Sequence, residues 1–458
     1  MRVQGLRRAI AAVTAISAVL GGTALAAPAT ADQSNFYHYS GDRPLATYKP
    51  GAVIKTRTLP FHLSGIPTPL TAVQILYRST DALGAPSANV TSVLRPPGPV
   101  KGVLSYQSAY DSLNPEDSPS RAVAGDFRLF QLTPKGRNIA VGNTLANGEN
   151  SVLVSFLAAG YAVNIPDTEG QRAHFAAGPE YGMNTLDSLR AAKATSSTGI
   201  RDDAKIALAG YSGGAIASNW AAILGPRYAP DINRDLIGVA QGGLLVNPAR
   251  NLSYASGSIG WGGVVGMAIV GIARAYQIDF DPYTTPFGKQ VARQLSDASI
   301  ANSFYPGLRF DQLAKPQYRN PNSIREYVVA ANKVNMGTAP TPTVPMYIAQ
   351  GANGVLEGTN PGPPGIGRGD GVMITGDVRA LARKYCTDGV RIRYEQHDLL
   401  SHVPTLTVWL VNSVGWLLDR FAGKPAPSTC GTIAPGNPRA LSPQVYTGPP
   451  TPPSGAPR

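Results

Sequence analysis

Residues 205–222, KIALAGYSGGAIASNWAA, join an apolar strand-like run to an alanine-rich helix-like run. The turn between them has the form Gly-x-Ser-x-Gly and consists of Gly210, Tyr211, Ser212, Gly213 and Gly214. A sharp turn from a strand into a helix leaves no room for side chains at the two outer glycines, which would collide with the neighbouring strand and helix. Strand, turn and helix together predict a nucleophile elbow that exposes the hydroxyl of Ser212.

The helix that begins at Gly213 suits a negative charge beside Ser212. The first N–H groups of a helix lack partners within the helix, and the helix dipole places partial positive charge at that end. The backbone N–H of Gly213 is therefore expected to donate to an oxyanion that develops near the serine. A glycine-rich turn between strand and helix also occurs in α/β proteins without a catalytic serine, so the elbow requires partners elsewhere in the chain.

Strand-like and helix-like segments alternate along most of the chain. Apolar runs bounded by glycine and proline predict strands at 103–106, 161–165, 205–209, 237–240, 344–349 and 390–395. Helices are predicted at 150–159, 182–196, 213–224, 372–386 and 405–421. Such alternation indicates a mainly parallel sheet covered on both faces, and with the elbow it predicts an α/β-hydrolase fold.

The alternation is interrupted at residues 247–342, where an apolar helix near 261–275 precedes polar and aromatic helices near 286–301. This segment predicts an inserted helical cap, or lid, that divides the core into residues 32–246 and 343–434. Residues 355–371 are a loop rich in glycine and proline. Residues 435–458 are a proline-rich tail without an apolar period and are expected to be disordered.

The first 31 residues carry arginines at positions 2, 7 and 8, an apolar stretch from 9 to 20, and Ala-x-Ala sites that end at Ala26 or Ala31. This pattern predicts a signal peptide, because the apolar stretch is too short and too rich in small residues to span a membrane. We expect the mature chain to be secreted or associated with the cell envelope. Removal of the peptide lowers the formal charge from +12 to +9, because it contains three arginines and no acidic residue.

Histidine order along the chain indicates the general base. In an α/β-hydrolase the base follows the nucleophile and the acid, and only His397 and His402 follow Ser212. His402 comes a short loop after the last predicted strand, whereas His397 lies only two residues past the strand's Glu395. We therefore predict His402 as the base. The other histidines, His38 and His62 in the N-terminal arm and His174 in an early loop, precede the elbow.

The acid that orients the base should follow the strand at 344–349, where Asp370 and Glu357 are the candidates. Asp370 lies in GDGVM, directly before a predicted helix, so it can cap that helix and reach the base. Glu357 is nearer to the strand but lies within the glycine- and proline-rich loop. Asp370 is the prediction, and the choice between the two remains open on the sequence alone.

The chain contains two cysteines, Cys386 and Cys430, and export exposes them to oxidising conditions. We predict one disulfide between them and no metal site, because the five histidines lack the spacing of metal ligands. No cofactor is implied. Nucleic acid is excluded as a partner because the basic residues are scattered, without runs or interleaved aromatic residues.

These residues resemble the secretory lipase family of α/β-hydrolases, the lipase A-like group of fungi and actinobacteria. The resemblance spans residues 35–425. It rests on Leu104-Ser105-Tyr106-Gln107 with Asp111-Ser112, Asn164-Ile165-Pro166-Asp167 with Glu169-Gly170, Leu186-Asp187-Ser188-Leu189-Arg190, the elbow, Gly369 to Met373, and Tyr385-Cys386.

The resemblance implies a triad of Ser212, Asp370 and His402, with Asp111 and Gly213 at the oxyanion. A charged carboxylate would repel an oxyanion, so the donor at Asp111 must be its backbone N–H or a protonated side chain. The sequence departs from the family after the strand at 344–349, where about twenty residues precede Asp370 and Asn353 stands where relatives can carry an aspartate.

We therefore expect a secreted serine ester hydrolase that forms an acyl-enzyme, and the apolar cap favours acyl esters or lipids as substrates, with contact at a lipid interface. One alternative is a short-chain carboxylesterase whose cap is fixed. A peptidase is disfavoured because no propeller or other substrate-recognition domain is evident. A catalytically inactive envelope-binding protein is disfavoured because all three residue types occur in the required order.

Overall fold

A nine-stranded sheet forms the centre of the fold. The computed structural model describes residues 35–127, 131–132, 139–140 and 144–449. The chain divides into residues 1–36, of which only Asn35 and Phe36 are described, and residues 37–458, to which everything below refers. The predicted signal peptide lies outside the described residues.

The sheet has the order β1-β2-β3-β7-β4-β8-β9-β10-β11. Its strands are β1 (Val53–Leu63), β2 (Ile66–Thr80), β3 (Pro86–Leu94), β4 (Val103–Gln107), β7 (Ala162–Pro166), β8 (Ile206–Tyr211), β9 (Leu236–Gly242), β10 (Met346–Gly351) and β11 (Ile392–His397), while β5 (Gln131–Leu132) and β6 (Ile139–Ala140) pair separately. The strands from β7 to β11 in this order pair in parallel. All six predicted strands are confirmed, each to within two residues at either end.

The antiparallel strands β1, β2 and β3 extend the sheet beyond β7, and the sequence analysis left this region as an N-terminal arm. Prolines within the strands conceal the pattern: Pro60 lies in β1, and Pro67 and Pro69 lie in β2. β1 is the edge strand, and β2 pairs with β3 only from Ala72 onward, so these prolines lie where a missing N–H is tolerated.

The described helices are α1 (Pro119–Val123), α2 (Thr144–Ala158), α3 (Gly178–Ala194), α4 (Gly213–Tyr228), α5 (Pro230–Asn233), α6 (Pro248–Ala255), α7 (Gly262–Tyr276), α8 (Pro286–Leu295), α9 (Phe310–Leu313), α10 (Arg325–Lys333), α11 (Thr375–Thr387) and α12 (His402–Phe421). Short 3-10 turns connect several of them. The five predicted core helices correspond to α2, α3, α4, α11 and α12. Their bounds differ from the prediction: α2, α3 and α12 begin six, four and three residues earlier, α11 begins three residues later, and α4 ends four residues later.

Close packing of α3 against α4 fixes the helix that follows the elbow. A Cβ at Gly182 would lie 2.7 Å from the backbone carbon of Trp220, so the two helices approach to a distance that only glycine permits. Strand β8 is buried along its whole length, and its side chains contribute to the two largest apolar clusters. The strand before the elbow and the helix after it are therefore both held by close packing.

The chain between β9 and β10 contains α6 to α10. Its apolar cluster includes Trp261, Met267 and Leu295 and extends to Val372 and Met373 after β10. At the C-terminal end of α7, the guanidinium of Arg274 donates to backbone carbonyls in three segments, those of Leu113, Arg172, Ala173 and Ser296. One end of α7 is thus anchored by a partly buried charge-assisted network.

Residues 435–449 pack against the body of the protein, so the expectation of a disordered tail is wrong for this segment. Ala440 is fully buried, and backbone groups of Ser442 and Gln444 bond to Asn335 and Asn332. The asparagine side chains supply partners that an apolar pattern does not reveal. Residues 450–458 lie outside the described residues.

A disulfide joins Cys386 in α11 to Cys430, as the sequence predicts. It ties the start of the C-terminal segment to the core. Within the described part of the chain, none of the helices has the length and apolarity required to cross a membrane.

Candidate active site

Ser212 lies between the end of β8 and the first residue of α4, with φ of 54°. This backbone region is costly for a residue with a side chain and is held here by its surroundings. A Cβ at Gly210 would lie 2.3 Å from the carbonyl oxygen of Gly214, and one at Gly214 would lie 2.0 Å from that of Gln107. The two glycines therefore have the steric role that the sequence predicts.

His402 is the first residue of α12, and its imidazole Nε2 lies 2.9 Å from Ser212 Oγ. The hydroxyl of Tyr211 donates to the backbone carbonyl of His402 at 2.6 Å. Both His402 and Ser212 are buried. The residue beside the serine on the elbow thus also holds the histidine in place.

Asp370 completes a hydrogen-bonded row with the other two residues. Its Oδ2 lies 2.7 Å from His402 Nδ1 and also accepts from the side-chain amide of Gln350 at 2.8 Å. Its Oδ1 accepts from the backbone N–H groups of Val372 and Met373 at 3.1 and 2.7 Å. Four hydrogen-bond partners therefore surround a fully buried carboxyl and fix its position.

The expectation that Asp370 caps a helix is wrong. Helix α11 begins at Thr375, and its N-cap residue is Ile374. The backbone groups that bond to Asp370 belong to a turn before the helix. The carboxyl is held by this turn and by β10, through Gln350.

The alternative candidates for base and acid do not take part in the hydrogen bonds that join Ser212, His402 and Asp370. His397 ends β11, and Asn353 donates its side-chain amide to the carbonyl of Leu399 at 3.4 Å. Glu357 accepts from the backbone N–H of Val403 and from the indole N–H of Trp261, both at 2.8 Å. The carboxylate of Glu357 is therefore adjacent to the base without bonding to its imidazole.

The pKa of His402 results from opposing influences. Burial lowers the pKa, while the charge of Asp370 and its hydrogen bond, the charge of Glu357 and that of Asp111 raise it. The net shift is upward. An imidazolium that forms at His402 is consequently stabilised by surrounding carboxyl groups.

Asp111 lies directly against the start of α4, and its Oδ1 occupies the space that a Cβ at Gly213 would need. Burial raises the pKa of the Asp111 carboxyl to about 7, and the charge of Glu149 adds to this effect, while His402 and the N–H of Gly213 act in the opposite direction. The backbone of Asp111 is in the left-handed region, with φ of 34°. An acid of this pKa is substantially protonated at and below neutral pH.

Two further buried carboxyls hold the loop that carries Asp111, and the sequence analysis assigned them no role. Glu149 accepts from the hydroxyl of Tyr106, the hydroxyl of Ser108 and the backbone N–H of Ala109. Glu169 accepts from the backbone N–H of Ser112 and the hydroxyl of Tyr181. Glu169 is among the residues on which the family resemblance rests. No sequence motif around Glu149 indicates its role, because it lies on helix α2, far along the chain from the loop that it holds.

A partly open apolar cavity adjoins Ser212, and the empty space there, open solvent included, is about 930 Å³. One face of α7 lines it, with residues 261, 264, 265, 268, 269 and 272. These positions repeat at the spacing of a single helical face. Further lining residues come from the loop before α3, from α6 and α10, and from the turn after Asp370: Phe175, Ala176, Leu252, Ala255, Tyr327, Ala330, Ala331, Val372 and Met373.

The parallel sheet and the serine on its elbow define an α/β-hydrolase. Solved structures of this fold are similar to the chain. Candida antarctica lipase A in its closed state superposes with a TM-score of 0.69 at 23% identity, over 88% of this chain and 91% of that one. The ligand-bound esterase LipA of Xanthomonas oryzae gives a TM-score of 0.58 at 15% identity, over 81% of this chain and all of the other.

A family model of secretory lipases matches residues 139–429. Lipase 1 of Candida albicans is 30% identical over 409 residues, which cover 83% of this chain and 79% of the relative. A probable inactive lipase of Mycobacterium tuberculosis is 28% identical, over 87% and 84% of the two chains. The chain belongs to the secretory lipase family, and its class is that of the lipase-like carboxylic ester hydrolases.

Proposed function

We propose that the protein hydrolyses carboxylic esters with long acyl chains, such as triacylglycerols, through Ser212, His402 and Asp370. The observation that carries the proposal is the continuous row of hydrogen bonds from Ser212 Oγ through the imidazole to Asp370. In this arrangement the carboxylate selects the tautomer with its proton on Nδ1, which leaves Nε2 free to accept a proton.

The reaction begins when His402 Nε2 takes the proton of Ser212 as Oγ attacks the ester carbonyl carbon. When the tetrahedral intermediate collapses, the bond from the carbonyl carbon to the alcohol oxygen breaks, His402 Nε2 donates its proton to that oxygen, and an acyl-serine remains. Water, deprotonated by the same nitrogen, attacks the acyl carbon, and the serine leaves with the proton. Asp370 accepts the hydrogen bond from Nδ1 throughout and stabilises the imidazolium that forms twice in the cycle.

Gly213 and Asp111 suit the stabilisation of the oxyanion. The N–H of Gly213 lies at the start of α4, where the helix dipole is positive. The carboxyl of Asp111 lies beside it, and its pKa of about 7 keeps it substantially protonated at and below neutral pH. A protonated carboxyl donates a hydrogen bond to the oxyanion, whereas a carboxylate would repel it.

The apolar cavity favours an acyl chain over a small acid. The lining residues at α7 run over twelve positions, from Trp261 directly before the helix to Ile272, a rise of about 16 Å at 1.5 Å per residue step. Its walls are almost entirely aliphatic or aromatic, and burial of each methylene group contributes about 0.8 kcal/mol. A long chain therefore gains binding energy that a short one does not.

An exposed apolar rim beside the base supports contact with a lipid surface. The rim consists of Ile259, Val355, Leu356, Leu399 and Val403, each between 55% and 80% exposed. Hydrogen bonds link its segments: the N–H of Ile259 donates to the carbonyl of Gly358, the N–H of Val403 donates to the carboxyl of Glu357, and the side-chain amide of Asn353 donates to the carbonyl of Leu399. A cluster of exposed apolar side chains next to a site is typical of an interaction surface.

The proposal includes secretion of the enzyme from the cell. Membership of the secretory lipase family and the N-terminal sequence pattern support an extracellular or envelope-associated enzyme that meets ester substrates outside the cell.

The test is hydrolysis of p-nitrophenyl esters from acetate to palmitate by the mature chain and by Ser212→Ala. We expect cleavage by the wild type that increases with chain length, and background rates for the folded variant. A preference for acetate or butyrate would favour a short-chain esterase. A folded wild type that neither cleaves esters nor reacts with a fluorophosphonate would contradict the proposal and favour the inactive-lipase alternative, which the mycobacterial relative's name makes relevant.

Contact with a lipid surface has its own test. The double variant Leu356→Ser/Leu399→Ser should bind triolein droplets less than the wild type, while its hydrolysis of soluble p-nitrophenyl butyrate stays unchanged. The control replaces two equally exposed apolar residues elsewhere, Ile66 and Val445, with serine. Equal loss of binding in both double variants would contradict a specific role for the rim.

A further inference from the structure

Glu357 contacts both the cap and the segment of the base. Its Oε2 accepts from the indole N–H of Trp261, directly before α7, and its Oε1 accepts from the backbone N–H of Val403, directly after His402. The backbone carbonyl of Glu357 also accepts from the N–H of Gly260 at 3.2 Å. One residue thus joins two segments that lie more than 140 positions apart in the chain.

The contact reaches the imidazole through Trp261. The rings of Trp261 and His402 lie 5.1 Å apart at an interplanar angle of 81°, an edge-to-face arrangement. The hydrogen bond to Glu357 fixes the indole in this orientation. A Cβ at Gly371 would lie 2.7 Å from the indole nitrogen and 2.9 Å from Glu357 Oε2, so the turn after Asp370 packs against the same bond.

We propose that Glu357 is a positioning residue that couples the N-terminal end of α7 to His402. This inference rests on the proposed function of Ser212, His402 and Asp370, and it adds to that triad a residue that does not touch the reacting atoms. Glu357 holds Val403, and with it the first turn of α12, in the position that directs His402 Nε2 toward Ser212. Through its bond to Trp261, Glu357 also couples the position of the N-terminal end of α7 to the orientation of the His402 imidazole.

Helix α7 is anchored differently at its two ends. Arg274 holds the C-terminal end to four carbonyls, whereas the side chain of Trp261 bonds at the other end to Glu357. The carboxylate at this end lies beside the exposed apolar rim. Movement of the N-terminal end away from the site would break the Trp261 bond and leave the Val403 bond in place.

The charged and titratable groups that face His402 come from several elements. They are Asp370 before α11, Glu357 after β10, Asp111 after β4, and the phenol of Tyr211 at the end of β8. The hydroxyl of Tyr254 of α6 lies against the same loop and hydrogen-bonds to the backbone of Gly369 and Gly371. Burial raises the pKa of both phenols above their ordinary value, so neither phenol carries charge near neutral pH.

Three variants separate the effects of Glu357. Glu357→Gln keeps an acceptor for Val403 but removes the charge. Glu357→Ala removes both side-chain hydrogen bonds. Trp261→Phe removes the indole N–H and keeps the charge of Glu357. Asp398→Asn, at an exposed carboxylate near the end of β11, is the matched control. The measurements are kcat and KM for p-nitrophenyl butyrate from pH 4 to 9, and the NMR titration of the His402 ring, assigned with His402→Ala.

We expect Glu357→Gln to lower the pKa of His402 in both the pH profile and the NMR titration, since one negative charge is removed. Trp261→Phe and Asp398→Asn should keep the wild-type pKa. Glu357→Ala should lower kcat about 10-fold with little change in KM, the effect of one lost charge-assisted hydrogen bond.

Unchanged pKa and kcat in both folded Glu357 variants would overturn the inference. If the wild type itself cleaves no ester, the proposed function fails, and the NMR titration still decides the coupling.

Discussion

Asp370 bonds to His402 through both its side chain and its backbone. Oδ2 lies 2.7 Å from the ring Nδ1, and the carbonyl oxygen of Asp370 accepts from the backbone N–H of His402, also at 2.7 Å. The backbone bond fixes the distance between the two segments independently of the carboxyl. The side chain can therefore be altered without displacing the histidine.

Asp370→Asn should consequently retain the fold and lose activity. An asparagine amide in place of Oδ2 favours the imidazole tautomer with its proton on Nε2, and such a change lowers kcat by about 10⁴-fold in serine hydrolases. The measurement is kcat for p-nitrophenyl butyrate, with far-ultraviolet circular dichroism as the check on folding. Asp398→Asn serves as the control, and an Asp370→Asn variant within tenfold of the wild type would show that another group orients the base.

Asp111 should make the protein less stable as the pH rises. Its pKa is raised from 3.8 to about 7, so between these values the folded state holds a proton that the unfolded state has released. Stability from this group is complete below about pH 4 and is lost as the pH approaches 7. Asp111→Asn removes the effect, so the free energy of unfolding of the wild type relative to Asp111→Asn should fall between pH 4 and 7 in urea titrations. A constant difference across this range would contradict a raised pKa.

A larger side chain at position 268 should shorten the preferred acyl chain. Ala268 lies on the cavity face of α7, and three added heavy atoms in Ala268→Leu reduce the space available to substrate. We expect kcat/KM for palmitate esters to fall relative to butyrate esters. Ala273→Leu, on the same helix but not among the lining residues, is the control. A parallel loss for all chain lengths in Ala268→Leu would indicate a general disturbance of the site.

Removal of the disulfide should destabilise the chain without abolishing catalysis. Cys386 and Cys430 close a loop with a sequence separation of 44, for which the chain-entropy relation gives about 4 kcal/mol. The double variant Cys386→Ser/Cys430→Ser should unfold at a lower urea concentration than the oxidised wild type. Reduced wild type provides the comparison, and equal midpoints for all three forms would show that the bond does not stabilise the native state.

The elbow was predictable because its cause is local. An apolar strand, the Gly-x-Ser-x-Gly turn and a helix that follows at once all lie within eighteen consecutive residues. The parallel strands were equally visible, since a strand buried on both faces is apolar along its length. The antiparallel strands β1 and β2 were missed because internal prolines and partial exposure disguise their pattern.

The acid could not be chosen from the sequence, because Asp370 and Glu357 lie in one loop and both reach the neighbourhood of His402. The two carboxyls differ in their hydrogen-bond partners. Asp370 bonds to the imidazole of His402, whereas Glu357 accepts from the backbone N–H of Val403. Glu149 shows the same limit, since it supports the Asp111 loop from a helix more than thirty residues further along the chain.

The sequence by itself determined the fold class, the position of Ser212 on its elbow and the disulfide, because periodicity, glycine sterics and residue type act over short spans or by simple pairing. Only the tertiary structure decided which carboxyl bonds to His402, that Glu357 bonds to both Trp261 and Val403, and that residues 435–449 pack against the body of the protein. These outcomes depend on hydrogen bonds between segments distant in the chain, whose geometry is set by the packing of the whole core and leaves no periodic trace in the sequence.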